Sequence, residues 1–176
     1  MRGVGDFQTL LFGHRGSLIA GAVLALILGL GAWWLAPRLG WARGWSAFAA
    51  GWLGLILGLA VVRAGLHLPS FNANGAFWAT CRRNPSLRLR NSQDVINLVM
   101  YAPLAFAVTL ASRRWWIALV VSVVLIALVE IGQAMLGTGL CEGGDASRNL
   151  AGAVVGTALG LLGLRVFRRS STRGDG

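Results

Sequence analysis

The sequence predicts an all-α protein, a polytopic bundle of about five transmembrane helices. Of its 176 residues, 56% are hydrophobic and only 12% are charged, and the apolar residues form long stretches. A water-soluble domain carries about 25% charged residues, so this composition excludes a soluble nucleic-acid-binding protein, although the formal net charge is +10. The apolar stretches are continuous rather than alternating, which favours helices over the strands of a barrel.

Five apolar stretches are long enough to cross about 30 Å of hydrocarbon at about 1.5 Å per residue. They cover residues 17–36, 44–62, 95–112, 115–140 and 149–164. We therefore divide the chain into three parts. These are an N-terminal part with two spans and an external loop (1–80), a region with three spans (81–164), and a basic cytoplasmic tail (165–176).

The arginines predict the orientation of the bundle. Successive spans place the N-terminus, the long loop 63–94 and the loop 141–148 on one side of the membrane. Arginine is divided equally between the two sides, but on the other side it is concentrated in short segments beside helix ends. By the positive-inside rule, we expect the C-terminus in the cytoplasm and the N-terminus outside.

Polar residues inside apolar spans are informative, because each needs a partner or a water-filled cavity. Three pairs stand three or four residues apart, and hence on one face of a helix. They are Asp94 and Asn97, Glu130 and Gln133, and Asp145 and Asn149.

One member of each pair lies at the same distance from an arginine at the other end of its span, roughly 24 Å at 1.5 Å per residue. The matched residues are Asn97 and Arg113, Glu130 and Arg114, and Asn149 and Arg165. We therefore expect one polar layer and a ligand-binding pocket that opens outward, with Arg148 as the candidate cation beside Glu130. In the alternative interpretation, the amides only bridge helices and the aspartates cap helix starts.

Other features have simpler interpretations. Gly152, Gly156 and Gly160 recur every four residues, a spacing that lets helices pack closely. The sequence shows no glycine-rich phosphate loop and no histidine cluster, so we predict neither a cofactor nor a metal site, although the carboxylates leave divalent-metal chemistry conceivable.

The long loop contains a cysteine and a basic run. Cys81 and Cys141 both fall on the predicted external side, where a disulfide would close the loop over the pocket; two unrelated thiols are the alternative. The basic run can hold phosphate or pyrophosphate headgroups, or contact anionic lipid in general. It consists of Arg82, Arg83, Arg88 and Arg90.

Four segments of the second half follow one another in a recognisable order. They read Asp94-Val-Ile-Asn97, Tyr101-Ala-Pro103-Leu104-Ala105, Glu130-Ile-Gly-Gln133 and Cys141-Glu142-Gly-Gly-Asp145-Ala-Ser-Arg148-Asn149. This pattern resembles the VanZ-like family, which is named for a teicoplanin-resistance protein, over residues 81–164. The chain departs from the family pattern at three positions. Ala105 stands where the family has Gly, Glu142 where it usually has Asp, and Gly139 where it frequently has Arg.

The resemblance implies a non-enzymatic protein of the bacterial cell membrane. Its partners would be membrane lipids or lipid-linked envelope precursors, and it would alter susceptibility to glycopeptides such as teicoplanin. Two alternatives stay open. One is a membrane enzyme acting on lipid or isoprenoid-phosphate headgroups through Asp94, Glu130 and Asp145; the other is an ion-coupled permease that uses Glu130.

Overall fold

The computed structural model describes residues 15–60, 86–89, 92–135 and 143–171. Every element in these ranges is helical, which confirms the predicted fold class. A short 3-10 helix, Ala36–Leu39, follows the first α-helix. The α-helices are α1 (Arg15–Leu35), α2 (Arg43–Ala60), α3 (Ser92–Ser112), α4 (Trp115–Met135) and α5 (Gly143–Ser171).

Within the residues that the structure describes, four helical segments are long and apolar enough to cross a membrane. They are Leu18–Leu39, Asp94–Ser112, Trp115–Gly132 and Gly143–Val166. Helix α2, which is described from Arg43 to Ala60, is not among them. A crossing by α2 therefore stays a prediction.

Helices α1 and α2 form an antiparallel hairpin in which the backbones touch. A Cβ atom at Gly21 would lie 3.4 Å from the Cα atom of Gly58, and one at Gly29 would lie 3.2 Å from the carbonyl oxygen of Ala47. The N-terminal part of α1 thus contacts the C-terminal part of α2, and the C-terminal part of α1 contacts the N-terminal part of α2. Because α2 runs back along the apolar length of α1, this packing supports the predicted second span.

The turn between α1 and α2 is fixed by backbone hydrogen bonds. Gly40 has a φ of 68°, in the left-handed region that favours glycine, and its N–H donates to the carbonyl of Pro37 over 3.1 Å. The N–H of Ala42 then donates to the carbonyl of Ala111 in α3, also over 3.1 Å. This second bond holds the turn against the C-terminal end of α3.

Helix α3 lies at the centre, in contact with α2, α4 and α5. The indole Nε1 of Trp52 in α2 donates to the carbonyl of Met100 over 2.8 Å. Much of the core comes from the buried face of α3, namely Tyr101, Leu104, Ala105, Ala107 and Val108.

Helices α3 and α5 run parallel and touch along their glycines. A Cβ atom at Gly152 would overlap the carbonyl oxygen of Leu98, and one at Gly156 would overlap that of Ala102. One turn further, Gly160 again faces α3. Since both helices advance together through these contacts, their N-terminal ends stand side by side.

Helix α5 is longer than predicted. Residues 143–148, which we expected in a loop, form its first turns, and residues 165–171 of the expected tail continue the helix. The charges that suggested a loop are accommodated within the helix. Asp145 lies in the first turn, where the helix dipole favours an acid, and the hydroxyl of Ser147 donates to the carbonyl of Gly143 over 2.6 Å.

The contact between α3 and α5 predicts a selective effect of one methyl group. We expect Gly156→Ala to lower the free energy of unfolding by about 1–3 kcal/mol, because the new Cβ must push the α3 backbone away. The matched control is Gly31→Ala, since a Cβ atom at Gly31 meets nothing within 4 Å. Thermal unfolding in detergent measures both, and equal melting temperatures would contradict the close packing.

Candidate functional site

The adjacent N-terminal ends of α3 and α5 bring three charged side chains together. Asp94 lies in the first turn of α3 and Asp145 in the first turn of α5. Both carboxylates face the positive end of a helix dipole, which stabilises negative charge. Arg148 follows Asp145 on the same face of α5 and reaches both acids. We call Asp94, Asp145 and Arg148 the polar cluster.

The guanidinium of Arg148 joins the two helices. Its Nη1 atom lies 3.1 Å from Oδ1 of Asp94 and 2.8 Å from Oδ1 of Asp145. The Arg148 side chain is 7% exposed and that of Asp94 is 9% exposed, whereas that of Asp145 is 23% exposed. The pair between α3 and α5 is therefore the more deeply buried one, and losing either partner would leave a charge in a poorly solvated site.

The other donors of Arg148 hold the chain before α3. Its Nε and Nη2 atoms donate to the carbonyl oxygen of Arg88 over 3.2 and 3.0 Å. One side chain thus fastens residues 86–89 to two helix ends. Leu87 and Leu89 are exposed on this fastened segment.

A glycine makes room for the guanidinium. A Cβ atom at Gly144 would lie 3.2 Å from Nη1 of Arg148, tighter than ordinary contact. A larger residue there would have to displace the side chain that carries the ion pairs.

A second set of polar groups lies within the bundle. Glu130 of α4 and Asn149 of α5 are buried, and Oδ1 of Asn149 has no hydrogen-bond partner among the residues that the structure describes. Glu130 interacts electrostatically with Tyr101 of α3, whose buried hydroxyl also has no partner within the described ranges. A buried polar atom without a partner costs about 1–3 kcal/mol, so these atoms mark places where water or a polar ligand gains hydrogen bonds.

The expected site residues occupy positions of several kinds in the structure. Asp94, Asp145 and Arg148 are in direct contact, Glu130 and Asn149 are buried, and Asn97 is half-buried on α3. The side chain of Gln133, both cysteines and three arginines of the basic run lie outside the described residues. The disulfide between Cys81 and Cys141 accordingly stays a prediction.

Two contributors were not assigned to the site from the sequence. Tyr101 begins one of the four motif segments and stands one helical turn after Asn97, a position that could have marked it as a site residue. Arg88 contributes its backbone carbonyl, a role that any residue type can play. The sequence shows the two helix starts and Arg148. It does not show that the backbone carbonyl of Arg88 accepts hydrogen bonds from this arginine.

The carboxylates of the polar cluster belong to the side-chain types that bind metal ions. Within residues 15–60, 86–89, 92–135 and 143–171, no group of three or more His, Cys, Asp or Glu side chains is placed to hold a metal ion. Nη1 of Arg148 lies within ion-pair distance of both Asp94 and Asp145.

Comparisons with known proteins give no relative. No family model, no curated protein and no solved structure matches the chain. The resemblance to the VanZ-like family thus rests on the four sequence segments between Asp94 and Asn149 alone.

The polar cluster predicts a large and partly recoverable loss of stability. We expect Arg148→Met to lower the free energy of unfolding by about 3–5 kcal/mol, because it leaves the Asp94 carboxylate buried without this cation. Adding Asp94→Asn should recover part of the loss, with a coupling of about 0.5–3 kcal/mol.

The control is Arg165→Met, which removes an exposed arginine from the same helix. Thermal unfolding in detergent gives the comparison for five proteins: the unmodified chain, Arg148→Met, Asp94→Asn, the double variant and Arg165→Met. The importance of the cluster is refuted when Arg148→Met and Arg165→Met unfold alike.

Proposed function

We propose that this chain is a multi-pass protein of the bacterial cell membrane that binds an amphipathic or lipid-linked molecule at the outer leaflet, beside the polar cluster. The single observation that carries the proposal is Oδ1 of Asn149, a buried acceptor without a hydrogen-bond partner among the described residues, next in sequence to Arg148. Such an atom is satisfied when a ligand supplies a hydroxyl or amide N–H.

The surroundings of the cluster suit an amphipathic ligand. Exposed apolar side chains lie near the same ends of α3 and α5, and on the segment before α3. They include Leu87, Leu89, Val95, Val99 and Leu150. A molecule with a polar head and an apolar tail would find partners of both kinds at this end of the bundle.

The state of the aspartates favours binding over catalysis. An enzyme acting on lipid phosphates would use Asp94 or Asp145 as an acid, a base or a metal ligand. Both instead contact Arg148, and Asp94 is largely buried. Metal-dependent turnover of a lipid phosphate by the purified chain would reverse this preference.

The resemblance to the VanZ-like family adds a biological expectation. A protein that holds lipid-linked material at the outer leaflet would alter access of a lipoglycopeptide to the envelope. We therefore propose that the chain raises resistance to teicoplanin, with the C-terminus in the cytoplasm as the arginines predict.

An isosteric pair of substitutions tests this function. We expect Asn149→Leu to reduce teicoplanin resistance of cells that express the chain to the level of cells without it, because the free acceptor is gone. Thr157→Val is the matched control, since Thr157 is also buried on α5 and its Oγ1 also lacks a partner among the described residues, but it lies two turns away from Asn149.

The minimum inhibitory concentration of teicoplanin is measured for each variant at equal membrane expression, with a glycopeptide that lacks an acyl chain for comparison. Binding of teicoplanin to the purified chain in nanodiscs gives a second readout. Unchanged resistance and binding in Asn149→Leu, Asp94→Ala and Glu130→Ala would sink the proposal.

A second candidate function is an ion-coupled permease, favoured by the interior position of Glu130. Glu130 is 6% exposed and interacts electrostatically with Tyr101 of α3. Ionisable groups inside transmembrane bundles often carry protons or ions.

If the chain is an ion-coupled permease, its transport should depend on one proton-binding side chain. A pH gradient across proteoliposomes containing the chain should drive flux, and Glu130→Gln should abolish it because the amide cannot exchange a proton. Thr157→Val again serves as the control. Absence of any pH-driven flux in the unmodified protein would exclude this second function.

A further inference from the structure

The end of the bundle opposite the polar cluster contains an apolar groove of about 240 Å³. Its walls come from α1 and the following 3-10 helix, and from α2, α3 and α4. The small side chains of the alanines leave this volume open, and larger side chains enclose it. Representative lining residues are Ala32, Ala36, Ala50, Leu53, Leu104 and Val121.

The groove offers an apolar guest no competing hydrogen bonds. Ser46 is a lining residue with a hydroxyl, and that hydroxyl donates to the carbonyl of Ala42 over 2.9 Å. The lining surface is otherwise made of aliphatic side chains and Trp41. A hydrocarbon chain would make van der Waals contacts along this aliphatic surface.

Two hydrogen bonds fix α2 and the turn before it to α3. Trp52 is bonded to Met100, and Ala42 is bonded to Ala111. The groove residue Leu104 lies between Met100 and Ala111 along α3. The α2 and α3 walls of the groove are therefore held in place by bonds of the folded chain.

Positive charge surrounds this end of the bundle. Four exposed arginines lie at the ends of the helices whose residues line the groove, namely Arg38, Arg43, Arg113 and Arg114. The acids whose side chains the structure describes, Asp94, Glu130 and Asp145, lie toward the other end of their helices. The guanidinium group binds phosphate oxygens in a bidentate manner, so the charge complements an anionic headgroup.

We propose that the groove binds one acyl chain of an anionic phospholipid, whose phosphate contacts the arginines beside it. By the predicted orientation, this lipid belongs to the inner leaflet, where anionic lipids attract basic residues close to the membrane. The groove shares no lining residue with the polar cluster, so this site and the proposed outer site can fail independently.

Native mass spectrometry of the full chain in mild detergent tests the proposal. Phosphatidylglycerol and phosphatidylcholine with identical acyl chains are added separately, and the fraction of protein that retains one lipid is measured. We expect retention of phosphatidylglycerol to exceed that of phosphatidylcholine by about tenfold, the equivalent of about 1.4 kcal/mol.

Two sets of variants separate the contribution of the acyl chain to binding from that of the headgroup. Ala50→Phe in α2 and Ala32→Phe in α1 each fill the groove and should remove the retained phosphatidylglycerol. Ala127→Phe, the matched control on the exposed face of α4, should leave it unchanged. The exposed pair Arg38→Gln and Arg43→Gln, made together, should abolish the preference for phosphatidylglycerol over phosphatidylcholine.

Two results would overturn the proposal. One is equal retention of the two lipids by the unmodified chain. The other is undiminished retention of phosphatidylglycerol by a groove-filling variant whose circular dichroism shows full helicity. Because the two substituted arginines are exposed, their double variant tests the headgroup contact even if a phenylalanine prevents folding.

Discussion

The buried positive charge of Arg148 sets conditions that the rest of the bundle has to meet. A guanidinium stays charged at any accessible pH, so a site with 7% exposure must surround it with acceptors. Asp94, Asp145 and the Arg88 carbonyl provide them from three parts of the chain. This requires α3 and α5 to begin side by side, which in turn requires their backbones to approach closely at Gly152 and Gly156. Charge compensation and glycine packing are thus two aspects of one arrangement.

The two ends of the bundle have opposite chemical character. At the N-terminal ends of α3 and α5, Arg148 binds the carboxylates of Asp94 and Asp145 and fastens residues 86–89. The buried amide oxygen of Asn149 there has no partner among the described residues. At the opposite end, an apolar groove is surrounded by exposed arginines. Between them, α3 contributes Tyr101 and a continuous apolar core. This asymmetry agrees with a protein that meets different molecules in the two leaflets of a membrane.

Much of the fold followed from the sequence, because in lipid the length of an apolar stretch limits its structure to a spanning helix. Within the described residues, four helices are long and apolar enough to span a membrane. The apolar stretch begins at Asn149, but α5 begins at Gly143, because Asp145 and Arg148 form an ion pair within its first turns. Within the site, the acids and amides stand out in the sequence as polar residues in apolar spans, but their partners could not be inferred. Spacing gives the helix face and approximate depth of a residue, whereas contacts such as Arg148 with Asp94 depend on which helices are neighbours.

The parallel packing of α3 and α5 has a consequence for biosynthesis. The partner of α3 is not the next helix but the one after it, so α4 must cross the membrane before the final contact can form. Until α5 arrives, Asp94 lacks Arg148, and the carbonyls of Leu98 and Ala102 lack the glycine surface that covers them. A chain interrupted before α5 would therefore leave the Asp94 carboxylate without this cation and the packing surface of α3 without its glycine partner. Helix α5 thus completes both the charge compensation and the close packing that α3 begins.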